Sequence, residues 1–196
     1  MAGALTKETF TGGVKDLKIF PITKDDATGY TVGTAVDVPA AQSFKVDYEF
    51  DSKELFGDEE IQDIWSKIKK ANVSIEYGKT SLDLEAALLG GTVTTSGSTP
   101  NQVQSQGVTL GTLSNYFQIA FKSDYVDKLG NAADMHVYVM KCKVTADSFD
   151  SSSEEYGKLS FDAEGINTKY DFSTKGKALQ RQIHETNTDL TAVVSA

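Results

Sequence analysis

Alternation with a period of two runs through most of this chain and points away from a helical fold. Phe44, Val46, Tyr48 and Phe50 alternate with Lys45, Asp47, Glu49 and Asp51, the pattern of a strand with one face on a core and one in water. Val73, Ile75 and Tyr77 repeat it, as do Phe117, Ile119 and Phe121, and Leu159, Phe161 and Ala163; Val14 to Phe20 and Tyr30 to Val38 are further strands on the same grounds. Met135 to Val144 is apolar at both parities, which predicts a central strand with Val137 and Val139 on one face and Tyr138, Met140, Cys142 and Val144 on the other. The expected total is about six to nine strands. One stretch fits both periods: Ile61, Ile64, Trp65 and Ile68 have helical spacing yet stand between two strands, and periodicity leaves the choice open.

A single helix interrupts this pattern over Ser81 to Leu89. Leu82, Ala86 and Leu89 fall on one side of the wheel and Leu84, Ala87 and Leu88 on the other, leaving Asp83 and Glu85 for water. Thr80 or Ser81 caps its start, Asp83 and Glu85 suit the positive end of its dipole, and Gly90 with Gly91 ends it. A helix apolar nearly all round is buried nearly all round, so one side should meet the β-core and the other another copy of the protein. The fold class that follows is mainly β, a sandwich or barrel with one flanking short helix.

Gly91 to Gly107 follows, a run of Gly, Thr, Ser, Asn and Gln around Pro100, and no charge occurs between Glu85 and Lys122. It reads as a long structureless connection, either a surface loop or a polar arm that orders against a partner. Charge is concentrated elsewhere. Asp37 to Asp63 holds nine carboxylates and two lysines, a net of -7 out of the chain's -9. Asp47, Glu49 and Asp51 therefore line the wet face of their strand, either as an ordinary solvated surface or as one that lets a polyanion pass without sticking.

These features also exclude. A net charge of -9 disfavours a surface that grips nucleic-acid phosphates. Cys142, the only cysteine, cannot form an intramolecular disulfide and reads as a buried structural thiol. Met1 to Thr11 lacks the apolar run of a signal peptide, and no segment approaches the roughly 18 apolar residues of a membrane span. His136 and His184 fall in no ligand or triad spacing, no glycine loop has the lysine and helix of a phosphate cradle, and neither Asp58 to Glu60 nor Ser151 to Glu155 follows the spacing of a calcium loop. No catalytic residue, metal or cofactor is expected.

The succession Phe44-Lys-Val-Asp-Tyr-Glu-Phe-Asp, Glu54-Leu-Phe-Gly-Asp, Asn72-Val-Ser-Ile-Glu-Tyr-Gly and Leu82-Asp-Leu-Glu-Ala-Ala-Leu-Leu-Gly-Gly, with the later Tyr156-Gly-Lys-Leu-Ser-Phe-Asp-Ala-Glu-Gly, resembles the major tail protein, or tail tube protein, of long-tailed bacteriophages. The resemblance spans about residues 14 to 167 and rests on pattern and segment order, since that family has no catalytic motif. It implies a structural virion protein whose β-sandwich assembles as homohexameric rings, stacked into a tube through which double-stranded DNA passes on ejection. The protein would be made in the host cytoplasm and reside in the virion tail. Implied partners are other copies, a tape measure protein, and tail terminator and initiator proteins; DNA passes without specific binding and no membrane is entered. In that setting Asp47, Glu49 and Asp51 would line the lumen, Leu82, Leu84, Leu88 and Leu89 would fill the seam between subunits, and the 91–107 loop with Gly91, Pro100 and Gly107 would join rings.

Residues 1–172 form the tube domain on this reading and 173–196 a C-terminal arm; from Gly165 onward Lys169, Lys175, Lys177 and Arg181 break the acidic trend. The arm either docks on an acidic neighbour or frays. Two other classes compete: a monomeric carbohydrate- or protein-binding β-sandwich of a virion surface, recognising its ligand through Tyr30, Tyr48, Tyr77 or Tyr116, and a hydrolase using scattered carboxylates. A tube subunit of a secretion-like machine shares the first architecture.

Overall fold

The computed structural model describes residues 10–57, 60–126, 132–150, 157–172, 176–184 and 187–195. Asp58, Glu59, the Ser151 to Glu155 cluster, Tyr156 and parts of both termini, all singled out above, lie outside these residues. Eleven strands and one helix follow in order: β1 (Phe10–Asp26), β2 (Gly29–Val32), β3 (Val36–Asp37), β4 (Ala41–Gly57), β5 (Glu60–Tyr77), α1 (Leu82–Leu89), β6 (Val93–Ser96), β7 (Val103–Gln106), β8 (Phe117–Val126), β9 (Ala132–Asp150), β10 (Lys158–Gly165) and β11 (Leu179–His184). The Tyr30 to Val38 run is two short strands rather than one.

Nine strands make one antiparallel sheet in the order β2-β1-β8-β9-β10-β5-β4, with β3 on β1 and β11 on β9. β10 and β11 lie end to end on one edge of β9, at its second and first halves. The sheet curls until Phe44 of β4 meets Phe121 of β8, their ring centroids 4.3 Å apart. Inside the curl lie Leu17, Ile19, Val73, Ile75, Phe117, Ile119, Val139 and Phe161, and α1 adds Leu84 and Leu88. The alternation of β4 and β5 puts their apolar parity on this inner face, as expected from Phe44, Val46 and Tyr48.

β9 departs from the expected faces. Cys142 and Val144 join Val139 in the inner core, whereas Tyr138 and Met140 pack on the outer face. Phe117 pairs with Cys142 and Ile119 with Val139, so β9 carries an extra residue there. This bulge reverses parity beyond it, which simple alternation cannot register. It also aims Lys141 into the protein, where its ammonium stands 2.6 Å from Asp25.

The outer face has a core of its own. Phe20, Tyr30, Ala120, Tyr138 and Met140 are covered by Leu190, with Tyr170, Phe172, Ala192 and Val193 packed alongside. The described residues 176–184 and 187–195 of the expected 173–196 arm thus lie on their own sheet. β11 bonds β9 from Leu179 opposite Val139 to His184 opposite Asp134. Beyond it, the Val193 amide donates to Gln118 Oε1 and Gln118 Nε2 to the Val193 carbonyl, both at 3.0 Å. The apolar positions at 190, 192 and 193 find an uncovered sheet face on the same molecule.

Candidate functional site

The outer half of the β4–β5 ribbon leaves the body. Residues 60–69 are exposed at every position, although the strand continues to Tyr77 with its inward residues buried. Seven large apolar side chains stand on this projection: Phe50, Leu55, Phe56, Ile61, Ile64, Trp65 and Ile68, each between 48% and 67% exposed. Phe50 opposes Ile68, Glu54 opposes Ile64 and Phe56 opposes Ile61, so five of the seven share the face that continues the core face of the body. Leu55 and Trp65 lie on the reverse, where Lys67 stands over the Trp65 ring at 5.1 Å.

Register shifts near Gln62 and Lys69 explain the ambiguous spacing of this segment. An extra residue at each point brings Ile61, Ile64, Ile68 and Ala71 to one face of a strand at intervals of three and four, the interval of a helix. The segment is β5. The apolar sheet face thus lies beside a backbone edge that is free among the described residues, since β4 ends the nine-stranded sheet.

The acidic strand face is less bare than its linear composition. Asp47 pairs with Lys45 at 2.5 Å, Glu49 with Lys69 at 2.8 Å and Lys70 at 3.3 Å, and Asp51 with Lys67 at 3.9 Å. Three of these lysines come from β5, beyond the stretch over which charge was summed. The two ammonium groups hold the Glu49 carboxyl below its usual range. The same outer face continues over β5 and β10 through Glu76, Asp162 and Glu164, the last bonded to Lys70 at 2.5 Å. Carboxylates still outnumber lysines across these three strands, in a strip of exposed, salt-sensitive pairs.

Gly91 to Gly107 is not structureless. Val93–Ser96 and Val103–Gln106 form an antiparallel hairpin with a cis Thr99–Pro100 bond in its turn. Gly91 has φ of 103°, and a Cβ there would sit 2.7 Å from the Gly107 carbonyl, so these two close the base of the hairpin. Threonine, serine and glutamine fill both faces of this ribbon, which hid its period. It touches α1, with Gln106 Nε2 donating to the Gly90 carbonyl at 3.1 Å. The helix is capped as expected: Ser81 Oγ accepts from the Leu84 amide at 3.3 Å. Leu84, Ala87 and Leu88 face the core, while Leu82, Ala86 and Leu89 are half-buried, so the chain's own hairpin takes part of the role expected of a neighbour. A groove of about 890 Å³ remains between Thr34–Asp37, the start of α1, Val93 and Gln104. The following segment exposes Leu110 at 99% and Leu113 at 80%. Neither was singled out from sequence, because isolated leucines in a polar run have no period.

Of the four tyrosines offered for a recognition face, Tyr30 and Tyr77 are core residues, Tyr48 is half-buried and Tyr116 is exposed; burial next to Asp147 and Glu85 pushes the Tyr77 hydroxyl up to about 12. Cys142 is fully buried and its thiol is held protonated by desolvation, which makes it inert. Among the described residues no group of three or more His, Cys, Asp or Glu could hold a metal ion, and no helix is long and apolar enough to cross a membrane.

His136 stacks on His184 of β11 with centroids 4.1 Å apart, beside the Asp134–Lys122 pair at 2.9 Å. Burial first, then His184, lowers the His136 pKa. A histidine kept neutral by folding contributes stability that is complete above its unfolded pKa near 6.5 and lost as pH falls toward the folded value. Stability should therefore drop as pH falls below about 6.5, by at most roughly 1.4 kcal/mol per pH unit, and His136→Gln should flatten that limb. Urea midpoints at three pH values check this; equal slopes in both proteins would remove His136 as the cause. No protein-family model matches the chain, and no curated protein matches it.

Proposed function

We propose that this protein is a structural subunit that polymerises through its β4–β5 projection into rings and a tube of the phage-tail type, with double-stranded DNA as cargo. The observation that carries the reading is the projection itself: seven large apolar side chains on two strands with no covering element from the same chain among the described residues. A free monomer gains nothing from holding these half-exposed residues in water, whereas burying what remains exposed returns on the order of 1 kcal/mol each. The edge of β4 supports the same reading, since closure of sheets between copies is a way to remove exposed edges. The carboxylate-rich strip of β4, β5 and β10 suits the wall of a channel for a polyanion, where Asp47, Glu49 and Asp51 would face the lumen with their lysine partners limiting self-repulsion.

Negative-stain electron microscopy of the concentrated protein should show rings or tubes of uniform width with a central hole. The double variant Phe56→Asp with Ile61→Asp should abolish them while leaving the thermal midpoint nearly unchanged, because exposed substitutions cost within about 0.5 kcal/mol. Compact single particles at every concentration would overturn the reading.

A further inference from the structure

Three side chains of different chemistry converge where the C-terminal segment crosses β8 and β9. The Lys122 ammonium of β8 stands 2.9 Å from Asp134 Oδ2 of β9, and it donates to the side-chain carbonyl of Asn187 and, at 3.1 Å, to the Thr188 backbone carbonyl. The Thr188 amide donates in turn to Asp134 Oδ2 at 2.7 Å. One carboxylate oxygen therefore holds both the amine and the backbone next to the carboxamide. The Lys122 and Asp134 side chains are 12% and 4% exposed, while Asn187 lies at the rim, open to water. An amine, a carboxamide and a buried carboxyl group are the set needed to exchange one amide nitrogen for another. Lys141, also buried, hydrogen-bonds the Asp25 carboxylate but no carboxamide among the described residues.

We infer that this is a self-modification site, in which Lys122 and Asn187 join through an isopeptide bond with Asp134 as acid and base. Asp134 takes one proton from the Lys122 ammonium, and the freed amine attacks Asn187 Cγ, whose carbonyl oxygen it already contacts. The Nζ–Cγ bond forms, a second proton passes from Nζ to Nδ2 by way of Asp134, and the Cγ–Nδ2 bond breaks. Ammonia leaves to the water at the rim and takes up the last proton; the Asp134 carboxylate is restored, and nothing is oxidised or reduced. Folding must come first, because the two residues stand 65 positions apart. The product ties the segment that covers the outer core to β8 by a covalent bond, and it needs no second copy.

The full chain, kept folded at neutral pH and then denatured, tests this by intact mass and by tandem sequencing of its tryptic peptides. The expected mass is one ammonia below that of the sequence, with a branched peptide joining Lys122 to Asn187 and no tryptic cut after Lys122. Lys122→Arg keeps the cation without a primary amine, and Asn187→Ala changes an exposed position; each should show its full sequence mass in a protein that still melts cooperatively. Unlinked peptides after days of incubation, or only the gain that marks hydrolysis of Asn187 to aspartate, would overturn the inference. A link that forms equally fast in Asp134→Asn would overturn the part assigned to Asp134.

Discussion

Removing residues 173–196 should cost more than about 5 kcal/mol, a large share of the roughly 5–15 kcal/mol that holds a domain together. The truncation strips β11 from the first half of β9 and uncovers Phe20, Tyr30, Tyr138 and Met140. It also leaves Gln118, fully buried, without either of its bonds to Val193, and Asp134 without the Thr188 amide that donates to it at 2.7 Å. Lost burial of Leu190 alone is about 1.5–3 kcal/mol, and each buried polar group left unsatisfied adds roughly 1–3 kcal/mol. The expected protein is one with weak side-chain dispersion by NMR and no cooperative unfolding. A truncated chain that melts within about 5 °C of the full one would show that this segment is an accessory.

Asp25→Ala should destabilise by roughly 3–5 kcal/mol, the range for breaking a buried pair. Asp25 and Lys141 meet at 2.6 Å with side chains 6% and 8% exposed, and Asp25 Oδ1 also accepts from the amides of Lys169 at 2.8 Å and Tyr170 at 3.0 Å. One carboxylate therefore ties the end of β1 to the β9 bulge and to the segment after β10. Truncating it strands the Lys141 ammonium in the interior, whereas Asp25→Asn with Lys141→Met removes both charges and should cost far less. The non-additivity is the readout. Burial opposes ionisation of Asp25, but the Lys141 hydrogen bond and the two amides outweigh it and hold its pKa below the usual value. Such a carboxylate contributes stability fully present above its unfolded pKa near 3.9 and lost as pH falls below it, a window distinct from that of His136. An Asp25→Ala protein as stable as the wild type would dismiss the pair as a fastening.

The parts of this fold legible in sequence are those where alternation runs uninterrupted. β4, β10 and the inner half of β5 show their faces directly, and α1 shows both its caps. Each misreading has a local physical cause. The bulge at Lys141 moved Cys142 and Val144 to the opposite face, and those at Gln62 and Lys69 gave a strand the spacing of a helix. β6 and β7 carry one valine each, on opposite faces of an otherwise polar ribbon, so no amphipathic signal exists to find. The lysines that answer Glu49 and Asp51 lie 16 to 21 residues away in sequence and became neighbours only through strand pairing. For the candidate docking surfaces, apolar content was visible and exposure was not, because exposure depends on where the body ends.

The β4–β5 ribbon closes along its whole length over a very short connection, whereas β1, apart from its short pairings with β2 and β3, must wait for β8, about a hundred residues later. Loop-closure entropy favours the ribbon as the earlier pairing. For that interval a long strand edge and its apolar side chains face the crowded interior of a cell with no body behind them. Asp51, Glu54 and Asp63, set among these apolar residues, are placed as gatekeepers whose like charges oppose the sticking of one nascent ribbon to another.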